Sequence, residues 1–333
     1  MSTSSSIAKQ LNIALPSPLE LLDQDFFAGR FWIKRDDLIH PIISGNKWRK
    51  LAGWFSQMEQ APIEHIVSFG GGYSNHLHAL GYICHQLGIR FTAIIRGQYQ
   101  RQPTPCILDL IQWHTDIVYT TKLDYKAYTD SEHSQHQQAL AQLKQQYPHA
   151  HLIPEGGATQ TALLGCQHLA QEIQSQLASA LPNDGINTPA KGLAINCKPQ
   201  RPAKVLLVLP VATATTMAGL VSQTHPLCHV LGIAVLKGPD YLENNIQSLL
   251  SPRVDALRAF WSINHYFHGG GYAKHTPTLL ALMDRWQKTY NIELEGVYSG
   301  KVAQAMEVLS PEVVKAGYTD IVFIHTGGLQ GKR

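Results

Sequence analysis

Lys47, Arg49 and Lys50 place three positive charges within four positions of "SGNKWRKL" (44–51), where a helical pattern begins. The helix macrodipole disfavours cations in a first turn. Either the side chains splay into water or an anion belongs there. A lysine beside other cations has a depressed pKa, which frees its amine to attack an aldehyde. Glycine- and threonine-rich loops offer matching partners. "GGGYSNH" (70–76) lets backbone N–H groups approach an anion at a helix start, although Ser74 or Asn75 could simply cap that helix. "ATATTMAGL" (212–220) offers Thr213, Thr215, Thr216 and backbone N–H groups as a phosphate nest, or only a Thr-capped helix with small residues for close packing. "HTGGLQG" (325–331) turns the chain and alone says little. Tyr272 in "GGGYA" and Tyr298 in "GVYSG" stand beside glycines. His76 and His78 are two apart, so on a helix they diverge and do not make a metal site. Neither G-x-G-x-x-G nor a P-loop occurs, which argues against dinucleotides and nucleoside triphosphates. Together these residues describe a site for a small phosphorylated aldehyde, one lysine of "NKWRK" holding the aldehyde and the other facing the phosphate.

Alternating short and long apolar patterns must position these residues. Strand-like runs fall at 31–35, 64–69, 90–96, 115–120, 151–153, 204–210, 229–235, 260–264 and 320–325. Helical patterns fall at 46–58, 75–88, 104–113, 131–147, 160–178, 215–224, 240–249, 276–289 and 299–308. Such alternation implies βαβ units and mainly parallel sheets, and this many strands fit two sheets better than one. Ligands of parallel α/β sheets sit outside the carboxyl ends of the strands, where the four loops "FGGGYSNH", "PEGGAT", "VATATTMAGL" and "HTGGLQG" lie. The polar stretch 181–202 reads as a long loop or insertion.

Composition excludes several classes. The 333 residues suggest about two domains. A formal net charge of +3 gives no electrostatic case for nucleic acid. Cys84, Cys106, Cys166, Cys197 and Cys228 are odd in number and never form C-x-x-C, as expected of thiols in a reducing compartment. The first residues lack an apolar secretory core, and the run 205–221 is too short and interrupted to span a bilayer. A cytoplasmic enzyme is expected.

The ordered set "KRDD", "SGNKWRKL", "YSNH", "PEGG", T-x-T-T-x-A-G-L, "VYSGK" and "HTGG" resembles the pyridoxal-phosphate enzymes that include 1-aminocyclopropane-1-carboxylate deaminase and D-cysteine desulfhydrase. The resemblance covers almost the whole chain. It implies an α/β protein of two parallel-sheet, three-layer domains with the tryptophan-synthase-β-like fold (fold type II). The larger, cofactor-binding domain is expected at 1–51 plus 160–333 and the smaller at 52–159, with pyridoxal 5'-phosphate in the cleft. By the same resemblance Lys47 holds the cofactor aldehyde and Lys50 contacts its phosphate. Ala212, Thr213, Ala214, Thr215 and Thr216 form the phosphate loop. Ser74 and Asn75 meet the substrate carboxylate and the cofactor's phenolic oxygen, with Tyr73 and His76 beside the substrate. Tyr272 and Tyr298 are active-site tyrosines, and Ser299 and Thr326 face the pyridine nitrogen. A homodimer acting on a small amino acid, with neither nucleic acid nor membrane as partner, is implied.

Ser299 and Thr326 stand where the deaminase pattern has Glu and Leu, which favours D-cysteine as substrate. The alternatives are the cyclopropane deaminase reaction and a weakly active homologue that only binds the cofactor. Tyr73 replaces a usual Gln, and Ala214 a usual Gly.

Overall fold

The computed structural model describes residues 6–58, 62–157, 159–180, 205–225, 228–238, 241–250, 259–271 and 274–332. The segment 181–202 and Tyr272 lie outside the described residues. Two compact units divide the chain.

Unit one comprises Met1–Leu15, Asp37–Gly165 and Gly328–Arg333. Its elements are α1 (Ser6–Gln10), α2 (Asn46–Met58), β3 (His65–Gly71), α3 (Asn75–Leu87), β4 (Arg90–Arg96), α4 (Pro105–Gln112), β5 (Asp116–Thr120), α5 (Lys122–Thr129), α6 (His136–Gln146), β6 (Ala150–Ile153) and the start of α7 (Gln160–Ala180). The four strands form a wholly parallel sheet in the order β5-β4-β3-β6. β3 is buried along its length until Gly71, as a parallel strand covered on both faces should be. α3 starts on the Ser74 cap and stops at Gly88, whose φ of 67° gives the left-handed exit that glycine makes cheaply. Thr104 caps α4, with Pro105 in the first turn.

Unit two comprises Pro16–Asp36 and Cys166–Gly327. It holds β1 (Leu19–Leu22), β2 (Arg30–Lys34), the rest of α7, β7 (Val205–Val211), α8 (Thr215–Gln223), β8 (Cys228–Ala234), α9 (Tyr241–Leu250), β9 (Phe260–Asn264), α10 (Pro277–Tyr290), α11 (Ser299–Lys315) and β10 (Asp320–Ile324). The sheet order is β1-β2-β10-β7-β8-β9, parallel except where β1 pairs antiparallel with β2. Its hydrophobic core gathers Phe31, Ile33, Val208, Trp286, Met306 and Phe323.

The domain boundary departs from expectation at the N-terminus. Strands β1 and β2 take 16–36 into unit two, but 37–51 pack in unit one. Ile39, Ile43, Trp48 and Leu51 share a core with Leu77 and Leu80 of α3, so helix α2 is anchored by apolar burial. α11 also outruns its expected end at 308, continuing through Pro311. Proline has no N–H for the carbonyl four residues back. The Ser310 hydroxyl donates to that carbonyl, Glu307 O, at 3.3 Å.

Candidate active site

In unit one the cations of α2 do not splay into water. Lys47 is half-buried, and Arg49 and Lys50 are almost fully buried. Lys47 Nζ donates to Asn46 Oδ1 at 2.7 Å. Lys50 Nζ points to Gly156 O in the "PEGG" loop at 3.4 Å. The helix is seated backbone against backbone on α7. A Cβ on Gly53 would lie 2.3 Å from Thr161 O, and one on Gly165 only 1.8 Å from Arg49 O.

The "GGGYSNH" loop closes β3 and opens α3. Ser74 is the cap, accepting the Leu77 N–H at 3.2 Å. Its hydroxyl hydrogen can still be donated elsewhere. Asn75 is half-buried, while Tyr73 projects with 55% exposure. Gly72 is pinned because the Tyr99 ring occupies the space of its Cβ, at 2.6 Å, and the Thr104 hydroxyl donates to its carbonyl.

His76 turns away from this loop into the core. Ser68 Oγ donates to Ile153 O at 2.7 Å, so the contact of 2.8 Å between Ser68 Oγ and His76 Nε2 requires Nε2–H as donor. Nδ1 is then a bare acceptor, and it has no partner among the described residues. Burial, and then the charges of Lys47 and Lys50, lower the His76 pKa to about 3. The ring is therefore a neutral acceptor and not a cation for a carboxylate. Its folded pKa lies below the ordinary value near 6.5, so the stability it contributes is complete above pH 6.5 and is lost as pH falls toward 3. Long-range ¹H–¹⁵N NMR should find the Nε2–H tautomer unchanged from pH 8 to pH 5; titration within that range would overturn the assignment.

In unit two, β7 leads into α8 through Ala212–Ala214. Ala214 is the helix N-cap with φ 65° and ψ −20°, a left-handed conformation costing a residue with a Cβ roughly 1–2 kcal/mol. No side chain caps this helix start, yet Ala214, Thr215 and Thr216 are buried and Ala212 and Thr213 half-buried. A buried, uncapped helix start held in a strained conformation is suited to an anion.

Tyr298 precedes α11 and is half-buried. Ser299 is fully buried. Its Oγ accepts the Glu295 N–H at 2.9 Å, and its hydroxyl is directed at Glu295 Oε1, 3.2 Å away. Thr326 is 5% exposed, beside His325, whose Nε2 donates to Glu293 O at 2.8 Å. Thr326 is thus buried slightly less deeply than Ser299.

Two residues of this region escaped the sequence reading. Glu295 accepts the N–H groups of Val297, Tyr298 and Ser299 at 2.7 to 2.8 Å, which offsets the rise in its pKa that burial causes. The acid just before a helix start in "ELEGVYSGK" was its signal. Lys301, fully buried, donates to Val235 O at 3.1 Å and Gly271 O at 3.0 Å. It thereby ties the glycine loop that precedes Tyr272 to the end of β8. Among the described residues no cluster of His, Cys, Asp or Glu could hold a metal, and no helix is long and apolar enough to cross a membrane. Among the described residues, Cys84, Cys106, Cys166 and Cys228 form no disulfide with one another.

The two parallel-sheet α/β units, described one by one above, give the chain a fold that other proteins share. Solved structures have the same fold. An ACC deaminase homologue superposes with a TM-score of 0.70 at 21% identity, covering 100% of this chain and 97% of the other. Threonine deaminase isoform 2 from Solanum lycopersicum gives 0.62 at 16% identity, covering 98% and 85%.

Curated proteins similar to this chain carry the names 1-aminocyclopropane-1-carboxylate deaminase and D-cysteine desulfhydrase. It is 26% identical over 306 residues to the mitochondrial bifunctional D-cysteine desulfhydrase/1-aminocyclopropane-1-carboxylate deaminase of Arabidopsis thaliana, covering 90% of this chain and 72% of the relative. It is 24% identical over 338 residues to a D-cysteine desulfhydrase of Klebsiella pneumoniae, covering 95% and 92%. No family model matches the sequence.

Proposed function

We propose that this chain is a pyridoxal-phosphate lyase that performs β-elimination on a small D-amino acid, D-cysteine first, releasing pyruvate, ammonia and hydrogen sulfide. The observation that carries the reading is the buried, uncapped start of α8, a ready phosphate seat, in a homologue whose other unit presents Lys47. The donor set fits the cofactor. By the resemblance, Ala212–Thr216 and Lys50 would contact its phosphate, Lys47 would hold its aldehyde and Asn75 would meet its phenolic oxygen. By the same resemblance, Thr326 and Ser299 would be the hydroxyls that meet the ring nitrogen.

When bound, pyridoxal phosphate supplies the electron sink that acidifies the substrate's Cα–H. The Lys47 amine takes that proton as general base. The Ser74 hydroxyl, whose hydrogen is not used by the helix cap, donates to the substrate carboxylate. Tyr298 and Tyr272 position the amine or the leaving thiolate. A neutral hydroxyl at the ring nitrogen weakens the electron sink relative to a carboxylate. Elimination tolerates this because negative charge departs with sulfur. Opening a cyclopropane that has no α-proton demands more.

The relatives' names include both activities, so one assay should separate them. With the cofactor-loaded protein we expect pyruvate from D-cysteine, little from L-cysteine, and no 2-oxobutyrate from 1-aminocyclopropane-1-carboxylate. Preferential 2-oxobutyrate release would transfer the assignment to the deaminase reaction. A bound cofactor that responds to no amino acid would reduce the chain to a cofactor-binding homologue. The reading includes a cytoplasmic homodimer.

A further inference from the structure

Gly70, Gly71 and Gly72 do not serve the same purpose. A Cβ on Gly70 would strike Ser74 Oγ at 2.6 Å, and one on Gly72 the Tyr99 ring. Packing therefore accounts for both. Gly71 has no such reason. Its φ lies outside the left-handed region, and a Cβ there would meet a single atom within 4 Å, Arg96 Nη2 at 3.8 Å. The space beside Gly71 is an open notch with a guanidinium on its wall.

Arg96 is placed there by the fold. It ends β4 and pairs in register with Gly71 at the end of β3, on the edge where parallel sheets bind ligands. Its guanidinium lies over the Tyr125 ring, 5.2 Å from the centroid, which holds the fork without neutralising it. Glu155 exerts its charge on the Tyr125 hydroxyl. Arg96 has no ion-pair partner among the described residues. The exposed guanidinium, steadied on the Tyr125 ring and bordering the open space at Gly71, matches the planar geometry of a carboxylate. Ser74, the donor assigned above to the substrate carboxylate, is three residues from Gly71, and its N–H bonds Gly71 O at 3.1 Å.

We infer that the Gly71 notch is an anion subsite in which Arg96 binds a carboxylate of the amino-acid substrate. This rests on the reading that the substrate is an amino acid. The carboxylate is either the one on Cα or a second one on the side chain.

Calorimetric titration of the cofactor-loaded protein with D-alanine and with D-aspartate tests the subsite without needing turnover. Arg96→Gln removes the charge. Gly71→Ala fills the notch with a methyl group in ordinary contact distance, so it should leave folding intact. Charge-assisted hydrogen bonds set the expected loss at roughly tenfold or more in affinity. Loss for both ligands in both variants identifies the Cα carboxylate; loss for D-aspartate alone identifies a side-chain acid. Arg96→Lys, which keeps the charge but not the fork, should recover only part of the affinity. In the elimination assay the same variants should raise KM and leave kcat nearly unchanged. Variants that bind both ligands like the wild type, or a wild type that binds neither, would overturn the subsite. Pyruvate release with variant affinities unchanged would sink the subsite and spare the reaction. D-alanine binding sensitive to Arg96, without pyruvate from D-cysteine, would do the reverse.

Discussion

Lys47→Ala should abolish turnover and, with it, the visible absorption of covalently held cofactor. The lysine is assigned two tasks, and alanine performs neither. Loss of a general base alone costs roughly 10² to 10⁴ in rate, and loss of the covalent attachment adds to this. The change should not unfold the protein. The side chain is only half-buried, and its amine donates to the neighbouring Asn46. Alanine is also the best helix former for the first turn of α2. Circular dichroism should therefore match the wild type while the absorption band near the cofactor's covalent form disappears. Lys50→Ala is the informative comparison, since it should weaken phosphate binding and leave the band obtainable at high cofactor concentration. A Lys47→Ala protein that turns over at the normal rate would remove Lys47 from the scheme.

Gly165→Ala should be the most damaging glycine-to-alanine substitution among the described residues. The new Cβ would sit 1.8 Å from Arg49 O and 3.0 Å from Arg49 C. Those are backbone atoms in the first turn of α2, so no rotamer change relieves the overlap. Either α2 moves away from α7 or the helix distorts at the turn that carries Lys47 and Lys50. Overpacking of this kind costs about 3 kcal/mol, and more where backbone must shift. Urea denaturation should show that loss, with weaker cofactor binding in the fraction that folds. A midpoint within experimental scatter of the wild type would show that the two helices separate cheaply, and the close seating of α2 would lose its functional meaning. Gly71→Ala, which meets only a side-chain nitrogen at 3.8 Å, is the control in which the same substitution is tolerated.

Much of the chain's architecture was legible before any coordinates. The nine apolar runs all became strands, and β4 and β9 occupy the expected residues. Buried parallel strands need continuous apolar stretches, and that pattern is local. β1 was missed because "LELL" is a four-residue edge strand with both central positions exposed, so its sequence carries little strand signal. α5 was missed because it buries only Tyr125 and Ala127. The order of strands, and the transfer of 37–51 to unit one, depend on which apolar faces meet across the chain. No window of sequence contains that information.

The candidate site divides in the same way. The lysines, the glycine loop and the threonine loop announced themselves by residue type and spacing, because anion binding and covalent chemistry need those groups close together in sequence as well as in space. What each group is free to do was decided by tertiary contacts. His76 stood in line with the substrate-binding residues, but Ser68, eight residues earlier on β3, and the Ile153 carbonyl fix it as a neutral acceptor. Ser299 carried its assignment to the cofactor ring by position alone, and the fold adds that Glu295 engages its hydroxyl in a buried setting. Arg96 carried no motif at all. It became a candidate only when β3 and β4 paired and set its guanidinium beside Gly71. The sequence by itself determined the class of chemistry, since reactive side chains and their loops are written locally. The tertiary structure decided which of those side chains remain available, because a hydrogen bond or an open notch depends on neighbours brought from elsewhere in the chain.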